Sequence, residues 1–245
     1  MIIGSKYIFR ENLPSTNSYA SNLLRSQGIQ EGTIIYTNYQ TAGRGQATNS
    51  WESEKNKNLL ISLILYPRMI RPMEQFIISK TVSLGIWDFL NQHTVNVSIK
   101  WPNDIYVKND KIAGILIESS IIGEEMENLI AGIGLNLNQK NFKSEAPNPV
   151  SLCMITGKEY NIRESLTCLA SYLDKRYEQL VNGKRYEIDN EYLNNLYRYD
   201  QWCEYSDSGR VFEGRIVSVN SLGHLEIEDH SGKIYDYDHK EVTFL

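Results

Sequence analysis

At 245 residues, with 41% hydrophobic and 22% charged side chains and only 6 Pro and 16 Gly, the chain can bury a substantial core and is too apolar to be disordered. No window approaches the roughly 18 consecutive apolar residues of a membrane span, and Met1-Ile2-Ile3-Gly4-Ser5-Lys6 is too short for a secretory hydrophobic region, so a soluble cytoplasmic protein with no membrane partner is expected. The net charge of −5 is uneven: residues 200–245 hold ten acidic and four basic residues and carry −6, leaving +1 on residues 1–199, and neither part has the basic surplus of a nucleic-acid binder.

In chain order, Lys6 to Arg10 reads as a short strand. Ser15-Thr16-Asn17 supplies cap chemistry for a first helix through Tyr19, Leu23 and Leu24, with Gly28 as its stop. Thr33 to Tyr39 and Leu59 to Tyr66 have strand composition and flank a long polar loop, Gln40 to Asn58. Pro72 suits the first position of a helix whose apolar residues Phe76, Ile77, Val82, Leu84, Trp87 and Leu90 roughly follow a period of 3.6. Val97 to Lys100, Ile105 to Lys108, Ile112 to Ile122 and Leu129 to Leu137 follow as four strands, with Asn109-Asp110 as a two-residue hairpin turn.

Asn161 and Glu164 stand at capping-box spacing ahead of a helix over Ile162 to Val181, with Gly183 beyond it, and a shorter helix is expected over Glu187 to Tyr197. After Tyr199 the pattern changes to short strands, Trp202 to Tyr205, Val211 to Asn220, Leu225 to Glu228 and Lys233 to Tyr237, which predicts a small β-barrel packed on the first domain. The expected fold is α+β, a mixed, largely antiparallel sheet with packed helices, divided into residues 1–199 and 200–245. Cys153, Cys168 and Cys203 are odd in number and widely spaced, and are expected to be reduced and mostly buried. With His93, His224, His230 and His239 also scattered, no metal cage and no Ser/His/Asp triad is suggested.

Three segments place glycines and cations where a core does not need them. In Gln40-Thr41-Ala42-Gly43-Arg44-Gly45-Gln46, followed by Asn49-Ser50-Trp51, two glycines let the backbone approach a ligand while the guanidinium offers forked donors to phosphate or carboxylate. Lys100-Trp101-Pro102-Asn103-Asp104 and Lys111-Ile112-Ala113-Gly114 lie on neighbouring strands, so Asp104 and Lys111 can face one cleft, and Gly114 hints at a close backbone approach. In Gly132-Ile133-Gly134-Leu135-Asn136 alternate glycines bare one face of a strand, which suits a flat ligand ring. The GxG does not continue as GxGxxG into a helix, which argues against a dinucleotide site.

In this order, these motifs make the chain resemble the biotin protein ligases, also called biotin–[acetyl-CoA-carboxylase] ligases, along nearly its whole length: Ser15-Thr16-Asn17, GRGQ with a following Asn and Trp, KWPND, KIAGILIE and GIGLN. The resemblance implies a class II synthetase-like catalytic domain and an SH3-like C-terminal barrel. It implies two half-reactions, formation of biotinoyl-5′-AMP from biotin and ATP with Mg²⁺, then transfer to a lysine of a biotin carboxyl carrier protein. Ser15, Thr16, Asn17 and Gln40 would contact the biotin head group, and Gly114 would lie beside it. Arg44, Gly45 and Gln46 would close over carboxylate and phosphate, and Lys111 would bridge the two. Asn136 and Trp51 would face the adenine, while Asp104 would position Lys111 or the acceptor amine, or simply support the hairpin. Thr48 departs from the family's glycine before the loop Asn, which predicts a stiffer or differently shaped loop. The family's N-terminal DNA-binding module has no room before Met1, so no repressor role is expected, and a homodimer is compatible with the resemblance. The rival readings are a lipoate-type ligase, whose RR-x-x-GG motif is absent, and an inactive biotin-binding protein, for which two phosphate-directed cations would be superfluous.

Overall fold

The computed structural model describes residues 1–143 and 148–245. Its elements are β1 (Lys6–Leu13), α1 (Thr16–Ser26), β2 (Thr33–Gln40), β3 (Leu59–Leu65), α2 (Phe76–Asn91), β4 (Val97–Lys100), β5 (Asp104–Val107), β6 (Asp110–Ile122), β7 (Glu125–Leu135), α3 (Leu152–Thr156), α4 (Ile162–Val181) and α5 (Arg185–Asn194), followed by β8 (Trp202–Asp207), β9 (Arg210–Val219), β10 (Leu225–Asp229), β11 (Ile234–Tyr237) and β12 (Val242–Phe244). The first seven strands form one sheet in the order β1-β2-β3-β7-β6-β5-β4. Only β1 and β2 run parallel, because α1 carries the chain back across the sheet between them; the other pairs are antiparallel.

Both faces of this sheet are covered, which is why β3, Leu-Leu-Ile-Ser-Leu-Ile-Leu, is buried at every position. On one face α2 packs against α4 and α5 over the main core, with Leu63, Ile78, Phe89, Leu169 and Tyr192 fully buried. As expected of a central helix, α2 is buried on nearly all sides, Ser79, Lys80, Thr81 and Ser83 included. The helix does not begin at Pro72: Pro72–Glu74 form a 3-10 turn that leads into Phe76. The opposite face holds a smaller core under α1, built from Leu13, Ala20, Ile29, Ile35, Ile64 and Ile130. Buried Arg176 of α4 ties three helices together, binding Asp88 of α2 through two nitrogens at 2.6 and 2.9 Å and Glu191 of α5 at 2.6 Å.

Residues 202–244 form a second, five-stranded antiparallel sheet in the order β11-β10-β9-β8-β12. Its hydrophobic residues Tyr205, Ile216, Leu225 and Ile227 are continuous with the main core. Polar ties reinforce the junction: the Trp101 indole N–H donates to the Gly223 carbonyl at 2.7 Å, and Lys80 Nζ donates to the Val219 carbonyl at 3.0 Å. Gly223, at φ +93, lies so close to the Phe76 ring that a Cβ there would overlap it.

Two local expectations are corrected. The hairpin turn is Lys108-Asn109 rather than Asn109-Asp110, because Asp110 already pairs with Val107, and it is Lys108 that takes the positive φ of 56°. Of the cysteines, all free, only Cys153 is buried, while Cys168 and Cys203 are half-buried. Among the described residues no helix is long and apolar enough to cross a membrane.

Candidate active site: a glycine-floored cavity between two sheets

Register creates the site. On the α1 face, Leu60, Gly134, Gly114 and Asp104 lie in one row across β3, β7, β6 and β5, and Ser62, Gly132 and Leu116 lie in the next. Three of these seven positions lack a side chain, so the sheet has a bare strip where α1 and the Gln40–Asn58 loop meet it. Neighbouring side chains use that strip. The Trp51 indole lies on Gly134 and Gly114, so close that a Cβ at either would overlap the ring, and the Asn17 amide lies on Gly132 in the same way. The flat ring expected on this face is thus the chain's own Trp51. A cavity of about 520 Å³ opens beside it, walled by Ser15, Thr16, Asn17, Gln40, Arg44, Gly45, Gln46, Trp51, Asp104, Lys111, Gly114, Gly132 and Gly134.

Ser15 is the N-cap of α1, its hydroxyl 3.5 Å from the Ser18 N–H, and it also faces the cavity. Gln40 at the end of β2 accepts hydrogen bonds from the backbone N–H and the hydroxyl of Thr16, at 2.8 and 3.1 Å. Asn17 is buried and fully engaged: its Oδ1 accepts from Ser62 Oγ, and its Nδ2 donates to the Leu116 carbonyl and to Glu118 Oε2. Such an amide offers a fixed polar wall.

The glycine loop is a small hairpin. Gly45 N–H donates to Asn49 O, Trp51 N–H to Gly43 O, and Arg44 bridges Ser50. Its tip needs positive φ at Ala47, at 54°, not at Thr48, so Thr48 is accommodated without backbone strain. Arg44 binds Glu118 of β6 through both terminal nitrogens, at 2.8 and 3.3 Å, across partly exposed surroundings. The buried Oε1 of Gln46 and Nε1 of Trp51 have no hydrogen-bond partner, polar capacity available to a ligand that reaches them.

Lys111 Nζ lies 2.6 Å from Asp104 Oδ1, both about one-fifth exposed, and 5.9 Å from the Trp51 ring centre. Its backbone is clasped by the segment around Pro149. Asp104 is placed to hold the lysine and faces the cavity itself. Asn136, by contrast, is not brought to the cavity wall: its Nδ2 donates to the Val150 carbonyl at 3.1 Å, and its Oδ1 is buried without a partner. Trp101 is buried, and its peptide bond to Pro102 is cis.

Sequence reasoning missed three contributors. Glu118, closing the apolar run Ile115-Leu116-Ile117, joins Arg44 to Asn17; an acid at the end of such a run was the available signal. Lys100 sits among the rings of Tyr106, Tyr197 and Phe244, at 4.8, 5.8 and 5.1 Å. Burial draws its pKa below the usual lysine value although Asp104 works the other way, and burial, with the Asp104 charge, pushes Tyr106 up to about 12. The third contributor is His239, Lys240, Val242, Thr243 and Phe244, which form the wall facing the C-terminal sheet. β12 was not foreseen because its three residues are too few to show alternation. Burial followed by the Lys240 charge lowers the His239 pKa below the usual histidine value. Among the described residues no group of three or more His, Cys, Asp or Glu side chains could hold a metal ion.

The cavity thus combines a glycine floor with the cations Arg44, Lys100, Lys111 and Lys240 in its lining. Residues 9–136 match the biotin/lipoate A/B protein ligase family, and the chain belongs to that family of enzymes. It is 30% identical to the biotin–[acetyl-CoA-carboxylase] ligase of Paracoccus denitrificans, over 90% of this chain and 89% of that one. It is 26% identical to the bifunctional ligase/repressor BirA of Bacillus subtilis, over 97% of this chain and 74% of that one. Its fold matches the biotin protein ligase of Aquifex aeolicus solved with biotin and ATP, with a TM-score of 0.81, 23% identity and coverage of 98% and 99% of the two chains.

Proposed function

We propose that the chain joins biotin to a specific lysine of a biotin carboxyl carrier protein through biotinoyl-5′-AMP, releasing pyrophosphate and then AMP. The observation that carries this reading is the placement of Arg44 and Lys111 on the rim of one glycine-floored cavity. Two cations directed at a common volume suit a carboxylate meeting a phosphate, because charge accumulates there as one attacks the other. The names of the relatives supply the acid and the acceptor class.

In the first half-reaction a biotin carboxylate oxygen bonds to the α-phosphorus of ATP, and the bond from that phosphorus to the bridging oxygen breaks. Lys111 and Arg44 offset the charge on the α-phosphate oxygens. Thr16, Asn17 and Gln40 fix the head group, and the Gly43–Trp51 hairpin shields the product from water. In the second half-reaction the acceptor amine, having lost its proton, attacks the acyl carbon and AMP departs. Asp104 is the cavity's carboxylate, positioned by Lys111 and available to orient that amine. Mg²⁺ would travel with the triphosphate and neutralise part of its charge, since a single lining carboxylate makes no cage.

The test is product analysis with biotin, ATP, Mg²⁺ and a carrier domain. AMP, pyrophosphate and biotinylated carrier are expected. ADP as product, or equal turnover with lipoate, would overturn the proposal, and biotin binding without turnover would mark an inactive binding protein.

A further inference from the structure

The cavity holds more positive charge than the reaction just described uses. Arg44, Lys100, Lys111 and Lys240 all line it, but Arg44 is neutralised by Glu118 and Lys111 by Asp104. Among the described residues no carboxylate lies within ion-pair distance of Lys100 or Lys240. Both uncompensated cations belong to the C-terminal-sheet side of the cavity, Lys240 in the turn before β12 and Lys100 against the ring of Phe244 in β12. A triphosphate needs such a surplus, because two already paired cations cannot balance its charge.

Lys240 is unusual in two further respects. It sits at φ +73, a conformation that favours glycine, in the turn before β12. It is also one of four basic residues among ten acidic ones in residues 200–245. Of the other three, Arg215 is bound to Asp200 and Glu228, while Arg210 and Lys233 lie over the rings of Phe212 and Tyr235. Asp236 and Glu241 share the shallow depression on the far side of Lys240, yet neither pairs with it. Lys100 is held by rings from both sheets, so its ammonium is fixed in direction without being neutralised.

We propose that Lys240, together with Lys100, forms the subsite for the leaving pyrophosphate half of the nucleoside triphosphate. The C-terminal sheet thereby supplies a charge used in the first half-reaction. The inference rests on the adenylate-forming reading above. As the carboxylate oxygen bonds to the α-phosphorus, the bridging oxygen leaves with the electron pair of the broken bond. The charge that builds on the β-phosphate would then be met by the two lysines that line the cavity without a carboxylate partner.

The test uses Lys240→Gly, which removes the charge and relaxes the backbone at φ +73, with Lys240→Arg as rescue and Lys233→Ala as a control outside the cavity. Inorganic pyrophosphate, ATP, AMP and biotin are titrated separately, and biotin-dependent exchange of pyrophosphate into ATP is measured. In Lys240→Gly, affinity for pyrophosphate and ATP is expected to fall about tenfold, as for loss of one charge-assisted contact. AMP and biotin should bind within about twofold of wild type, and Lys240→Arg should restore most of the loss. Unchanged pyrophosphate affinity in Lys240→Gly, or an equal loss for AMP and biotin, would overturn the proposal. A wild-type chain without biotin-dependent exchange would instead refute adenylation, and the pyrophosphate titration would still decide the subsite.

Discussion

One carboxylate, Glu118, binds Arg44 at 2.8 Å through one oxygen and Asn17 at 2.8 Å through the other, joining the glycine hairpin to the start of α1. Neither residue is near the other in sequence. With Arg44 half exposed, the ion pair contributes at most about 1 kcal/mol to stability. Glu118→Gln should therefore leave the melting temperature nearly unchanged while loosening the hairpin. Trypsin cleavage after Arg44, timed against wild type, is expected to accelerate several-fold, and an unchanged rate would show that the carboxylate does not hold the loop.

Lys111→Ala should abolish adenylation with little loss of biotin binding, since a charge aimed at the transition state acts on rate more than on ground-state affinity. The expected fall is roughly 100-fold or more, about 2.7 kcal/mol. Pyrophosphate release measured beside a biotin titration checks it. Activity within a few-fold of wild type would make Lys111 a partner of Asp104 and nothing more.

Gly134→Ala places a methyl group inside the Trp51 indole and forces the ring off the sheet, whereas Gly28 has open space around it. Overpacking of this kind costs about 1–3 kcal/mol. Gly134→Ala should shift tryptophan emission and weaken substrate binding, with Gly28→Ala as the silent control. Emission and affinity both matching wild type would mean that the indole has other places to sit.

Arg176→Met leaves the Asp88 carboxylate, only 16% exposed, without its main partner. Removing one member of a buried pair costs about 3–5 kcal/mol, which corresponds to a fall in Tm of roughly 10 °C in a chain of this size. Scanning calorimetry reports the fall directly. The KM for biotin, measured well below the new transition, should not move, because Arg176 serves the helix layer.

Much of this architecture was legible in the amino-acid sequence wherever one local rule acts alone. Asn161 caps α4 through its side chain, accepting from the Arg163 and Glu164 N–H groups, and the helix runs over Ile162–Val181 as periodicity and capping predict. The glycines at 114, 132 and 134 announce a bare face, but not what covers it, since Trp51 arrives from a loop whose path is set by distant contacts. The Lys108-Asn109 turn escaped because a bulge between Ile105 and Tyr106 shifts the register by one residue. His239 to Phe244 escaped for a different reason: their place on the cavity wall follows from how the second sheet docks, a relation between segments more than a hundred residues apart.

The contact between Gly223 and Phe76 bears on recombination. Because the glycine backbone lies against the aromatic ring, and its carbonyl also takes the Trp101 indole, the two parts interlock through a position that admits no side chain. A chimera that grafts another C-terminal segment onto residues 1–199 must carry glycine there. Any larger residue would tilt the graft and drag the Lys100–Asp104 strand connection with it, so compatibility between parents can be screened at that single codon before any chimera is made.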